Sequence, residues 1–134
     1  MSSGMYEKGV NAIMGASIDL VNDRIAAWLI DTSFYTPDLN NHSSLSDVPE
    51  DSLLSEIVLT GKTLDGTTFR ANDIVFPSVA GGKADAVILF VDTDEYESSL
   101  LICYLDNAPE FPITPDGTDI TIHFDTGSNG IFKL

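Results

Sequence analysis

Apart from carboxylates, few side chains in this sequence could do chemistry. There are two histidines, His42 and His123, and one cysteine, Cys103. A zinc site needs three or four nitrogen, sulfur or carboxylate ligands held together, and two distant histidines with one thiol do not supply them. His42 lies in "NNHSSLSD", close to Ser43, Ser44, Ser46 and Asp47. Those are the residue types of a Ser-His-Asp triad. Nearness in sequence does not make a triad, however, and no nucleophile elbow or oxyanion donor pattern accompanies them. Cys103 sits inside the apolar run "LLICYL" and reads as a small buried residue, because a reactive thiol wants an exposed, electropositive setting. "AGGK" at 80–83 has glycines and a lysine but not the spacing of a phosphate loop, so it reads as a turn. "DTDEYE" at 92–97 alternates oxygen ligands like half a calcium loop. It lacks the glycine at the sixth position and the bidentate glutamate at the twelfth, so an acidic hairpin tip is the expectation. No catalytic residue, cofactor-binding residue or metal ligand set is expected, and function has to be sought in surfaces.

The surface is strongly acidic. Twenty-one Asp and Glu face six Lys and Arg, for a formal net charge of −15. The six basic residues are scattered, whereas binding a phosphate backbone needs them clustered. Nucleic acid and anionic membrane are therefore not expected as partners, whereas a basic protein surface stays open. The first ten residues lack the apolar core of a signal peptide, and no window approaches a membrane span. The expectation is a chain made in a cytoplasm and not exported by a cleaved signal.

The elements that would position any site read as one mainly β domain over 1–134. "MYEKGVNAIMG" places Tyr6, Val10, Ile13 and Met14 on one helical face, predicting a short amphipathic helix over 5–15 stopped by Gly15. "RIAAWLID" at 24–31 predicts a strand with Trp28 as a core anchor. The main β core is expected over 55–134, joined by that strand. Within it, Asp65-Gly66 predicts a hairpin turn between "SEIVLTGKTL" and "TTFR". "NDIVFPSV" predicts a strand ended by Pro77. "ADAVILFVD" (84–92) and "SLLICYLD" (99–106) are apolar on both faces and predict a central hairpin covered on both sides. "DITIHFD" (119–125) alternates, with Ile120, Ile122 and Phe124 inward, and "GIFKL" closes the chain as a last strand after the turn "TGSNG". Short strands, one leading helix and no βαβ rhythm predict an antiparallel β-sandwich or barrel.

One stretch fits neither strand nor plain linker. "FYTPDLNNHSSLSDVP" (34–49) is polar but carries Tyr35, Leu39, Leu45 and Val48 as spaced apolar pegs. "TPD" predicts a turn, and an Asn or Ser N-cap predicts one helical turn around Leu45 that Pro49 ends. Two readings stand open: a long loop covering the chain's own sandwich, or an arm reaching a neighbouring subunit. In the second, the contact residues would be Tyr6, Val10 and Ile13 of the helix with Tyr35, Leu39, Leu45 and Val48. Deleting 36–47 would then leave a folded monomer.

The sequence resembles a family of small structural proteins encoded among the head and tail genes of tailed bacteriophages. The resemblance is carried by "GASIDLVNDRIAAWLIDT", "YTPDLNNHSSLSDVP", "LTGKT", "ANDIVFPSV", "AVILFVDT" followed by "SSLLICYLD", "FPITPDGTDITIHFD" and the terminal "GIFKL". It departs at "DTDEYESS", which is acidic where small residues are more usual. The resemblance implies a virion component without enzymatic activity. The leading expectation is a capsid cement or decoration subunit that bridges capsomers, contacts the major capsid protein and forms a homo-oligomer. A head–tail neck subunit, or a tail accessory or receptor-binding subunit, is the alternative.

Overall fold

The apolar runs assemble into one antiparallel sheet whose two faces are both buried. In the computed structural model, which describes residues 4–106, 110–124 and 130–133, five strands line up in this sheet. In chain order they are β1 (Gly4–Met5), β2 (Ile25–Ile30), β3 (Leu53–Val58), β7 (Ala86–Val91) and β8 (Leu101–Leu105). Their order in space is β1-β8-β7-β2-β3. Two smaller sheets complete the β structure. One holds β4 (Thr63–Asp65), β5 (Thr68–Arg70) and β10 (Phe132–Lys133), and the other pairs β6 (Ile74–Phe76) with β9 (Ile120–Ile122). The chain is thus mainly β, antiparallel and sandwich-like, with one α-helix near its N-terminus, as its patterning predicts.

β2 is buried along its whole length. Successive side chains alternate across a strand, so it feeds two cores. Ile25, Ala27 and Leu29 join the first, with Val87 and Leu89 of β7, Cys103 of β8, and Phe69, Phe76, Ile120 and Phe132 from the small sheets. Ala26, Trp28 and Ile30 join the second, with Ile88, Phe90, Leu101 and Tyr104. The small sheets cover the first face. Among the described residues, no sheet lies opposite the second face, and chain that forms no long regular element covers it.

The expected hairpins form, with refinements. Asp65 pairs with Thr68, so the two-residue turn is Gly66–Thr67, one residue later than expected, with the positive φ of 64° on Gly66. β7 and β8 pair antiparallel, with a register shift between Leu89 and Phe90. β9 is shorter than the run 119–125, and Ile120 and Ile122 are buried within it. Asp125, the turn residues 126–129 and Leu134 lie outside the described residues.

The helix α1 (Glu7–Met14) differs from expectation in extent and in face. Met5 is strand, paired with Cys103, because the exposed edge of β8 offers the backbone a ladder there. Tyr6 is the N-cap. The buried side runs through Gly9, with Ala12 and Ile13 packed on the first core, while Met14 is 76% exposed. The helix is turned by about one residue relative to the expected face, or ~100°. Gly9 is the cause. A Cβ there would collide with the Leu101 carbonyl and lie 3.0 Å from Ile102 Cα, so the missing side chain lets α1 rest on the β8 backbone.

Candidate functional site: the anchored 34–49 segment

The segment 34–49 is the cover of the second face. Tyr35, Leu45 and Val48 are buried there with Tyr6 against Trp28, Ile88, Phe90 and Tyr104, and Leu39 packs partly buried at the margin. Side chains expected to reach a neighbour are therefore used within the chain. Tyr6, Tyr35, Leu45 and Val48 are at most 5% exposed. Val10, Ile13 and Leu39 are half-buried and keep an outward surface. Of the two readings left open by the sequence, the observed packing is the loop that covers its own domain. The deletion of 36–47, expected to leave a folded monomer, would remove one buried side chain, Leu45, from this core, while Tyr6, Tyr35 and Val48 lie outside the deleted stretch.

Local chemistry explains how a polar segment lies down so firmly. The turn forms at 38–42, later than "TPD" suggests: the His42 amide donates to the Asp38 carbonyl at 2.9 Å, and the Asp38 carboxylate collects donors from Asn40 and Asn41. Residues 43–45 then run beside Ser99–Leu101. Leu45 N–H donates to the Ser99 carbonyl at 2.8 Å, and Leu101 N–H donates to the Ser43 carbonyl at 3.0 Å. A 3-10 turn over Leu45–Asp47 follows, as the spacing predicts, with Ser44 as N-cap. The Asp47 carboxylate accepts the amides of Ser43 and Ser44 at 2.8 and 3.2 Å. Pro49 ends this turn and precedes a second one over Glu50–Ser52.

These hydrogen bonds also place the triad-like residue types. Asp47 serves two backbone amides, the Ser44 and Ser46 hydroxyls pair with each other at 2.6 Å, and His42 Nδ1 faces Asp38 and Tyr35. Each of these contacts is made within the segment itself.

A polar thread runs beneath the segment. Tyr6 Oη lies 2.7 Å from Tyr35 Oη, which lies 2.9 Å from His42 Nδ1. Burial raises the Tyr6 phenol far above its ordinary value, and it pushes Tyr35 up to about 12 against the hydrogen bond from Tyr6. Both therefore stay protonated and serve as hydrogen-bond groups. The Asp38 carboxyl is held below the usual range chiefly by the Asn41 side chain, and the Asp47 carboxyl chiefly by the Ser43 amide.

The other candidates are placed apart from this thread. Cys103 is buried, and desolvation raises its thiol well above the ordinary value. His123 is exposed and pairs with Glu110 at 2.9 Å, which raises the imidazole pKa. At the 92–97 tip, Asp92 and Asp94 face Arg24 at 3.2 and 3.8 Å. Tyr96 folds back, edge-on to Trp28 with centroids 5.5 Å apart, yet remains 40% exposed. Among the described residues, no three His, Cys, Asp or Glu side chains converge as a metal site would require.

Sequence reasoning missed Gly9, the His42 contacts and Phe34. Phe34 is 55% exposed at the start of a segment whose other apolar side chains turn inward. A glycine in the middle of an amphipathic helix was a usable signal for close packing. No periodicity marks the other two: His42 meets Asp38 and Tyr35 only once the 38–42 turn has closed, and the exposure of Phe34 depends on how the segment lies on the sheet.

No protein-family model matches the chain, and no curated protein matches it.

Proposed function

We propose that the protein is a structural component of a tailed-bacteriophage virion, acting as a capsid cement or decoration subunit that bridges capsomers through protein–protein contacts. The resemblance over nearly the whole chain suggests the setting. The observation that carries the reading is Phe34: a large aromatic, 55% exposed, presented by a segment that is already fixed on the sheet. A rigid, exposed aromatic loses little entropy on docking, which is what an interface anchor requires. Phe34 would work with the outward surfaces of Leu39, Val10 and Ile13 and with exposed Met14. The net charge of −15 would steer the subunit to basic patches on the shell. Each contact would bury about 800 Å² per partner, and many weak contacts would add up over a particle.

Mass spectrometry of purified particles from the encoding phage tests this. Copy numbers on the order of hundreds support cement, whereas about six to twelve, the count of a symmetric ring, point to a neck or tail subunit. Absence of the chain from particles ends the proposal. Within it, Phe34→Ser should leave the thermal midpoint unchanged and reduce particle occupancy by at least about tenfold, the scale of a lost hot-spot aromatic. Unchanged occupancy would remove Phe34 from the contact. The second reading, a tail accessory or receptor-binding subunit, is favoured by one feature, the half-exposed Tyr96 on the acidic 92–97 tip.

A further inference from the structure

His42 sits where the 38–42 turn, the start of α1 and the sheet meet. Its Nδ1 accepts the backbone N–H of Asp38 at 3.2 Å. A backbone amide can only donate, so this nitrogen carries no proton. The Tyr35 hydroxyl, 2.9 Å from the same nitrogen, must donate to it, and the Tyr6 hydroxyl, 2.7 Å further back, then donates to Tyr35. Every donor in the thread points toward one imidazole nitrogen. The Tyr35 and His42 rings also lie against each other, with centroids 5.5 Å apart.

We propose that His42 is a proton-operated latch that holds the 34–48 segment on the sheet when neutral and loosens it when charged. A proton on Nδ1 would meet the Asp38 N–H donor to donor. It would also turn Tyr35 into an acceptor and send the Tyr35 proton toward Tyr6. The Tyr6 hydroxyl hydrogen, on a residue with no exposed surface, would then lose its acceptor. An unmade donor in the interior is costly, so the charged form favours lifting the segment into water. Imidazole is the side chain that takes up its proton between about pH 8 and pH 5.

The groups facing the latch come from each element around it. The segment itself contributes the Asp38 and Asp47 carboxylates and Tyr35, the start of α1 contributes Tyr6, and β8 contributes Tyr104 next to Tyr35. The Glu7 amide also donates to the Leu39 carbonyl at 2.8 Å, closing the seam between α1 and the segment. Both carboxylates are held below the usual carboxylate range and stay ionised throughout. The device is independent of the particle role proposed above.

NMR on the isotopically labelled full chain tests it. At about pH 7.5, His42 should be the Nε2–H tautomer, with slow exchange at the Asp38, Leu45 and Leu101 amides. At about pH 5, exchange at those amides, corrected for its intrinsic pH dependence, should speed up by about tenfold while β2 amides stay unchanged. His42→Asn supplies a carbonyl acceptor that does not titrate, and its exchange should stay slow at both pH values. Equal corrected exchange in the parent at both pH values overturns the latch, as does the same acceleration in His42→Asn. Should that variant not fold, the tautomer of the parent still decides, because an Nδ1–H form at about pH 7.5 contradicts the assignment.

Discussion

Ala16 has a φ of 62°, left-handed backbone that a side chain with a Cβ adopts at a cost. Gly15, the residue expected to stop the helix, has an ordinary φ of −84° and donates to the Asn11 carbonyl. The helix therefore ends where glycine predicts, but the reversal falls on the alanine after it. Ala16→Gly should raise the unfolding free energy by about 0.5–1 kcal/mol, measured by urea denaturation. A loss would mean that Ala16 packs in a way its backbone does not reveal. Trp28 shows the opposite case, a residue whose role was readable from its type. It is fully buried, edge-on to Phe90 and Tyr96, and its indole N–H reaches Glu56 across the neighbouring strand. A large aromatic with one polar atom in an apolar run usually ends this way, with the ring in the core and the N–H on a partner.

At the scale of elements, the decisive contact is α1 on β8. Gly9 brings the helix axis close enough for its backbone to meet that of Leu101–Ile102. Gly9→Ala would improve intrinsic helix propensity yet force the two backbones apart. The overpacking penalty should win, costing about 1–3 kcal/mol in the same denaturation assay. A stabilised variant would show that the helix shifts freely on the sheet. The 34–49 segment makes the same point in another form. Its capping pattern, Ser44 with Asp47 and the stop at Pro49, is legible from sequence because it is local. Its destination is not local. Apolar runs with both faces to bury, such as 86–91, require two covers, and one cover is this polar segment with a few apolar pegs.

For the whole molecule, acid should act in two steps at different places. Asp31 is buried, and its carboxyl is held below the usual value of 3.8 mainly by the Ser33 amide, against the cost of burial. Asp38 and Asp47 are lowered too, for the reasons given above. A group whose folded pKa is depressed adds stability above its unfolded pKa and loses it as pH falls toward the folded value. Global stability is thus expected to hold from neutrality to about pH 5 and to drop below about pH 4, read as the urea midpoint by circular dichroism. His123 contributes with the opposite sign: its raised pKa adds stability below the ordinary value of 6.5 and loses it as pH rises. Exposed as it is, that contribution is small. A global midpoint already falling between about pH 7 and pH 5 would contradict the separation of the carboxylate step from the local His42 step.

What the sequence determined by itself is local. Alternation and double-faced apolar runs located β2, β7 and β8, Asp65-Gly66 located a hairpin to within one residue, and Pro49 located a stop. These follow from backbone sterics and side-chain period, which act over a few residues. Only the tertiary structure decided which face of α1 is buried, that Tyr35, Leu45 and Val48 turn inward, and that His42 closes a thread from Tyr6 through Tyr35. Periodicity tells which side chains seek cover but not what covers them. That choice belongs to contacts between residues as distant as Tyr6 and Tyr35, where close packing and the pairing of buried hydrogen-bond groups select one arrangement.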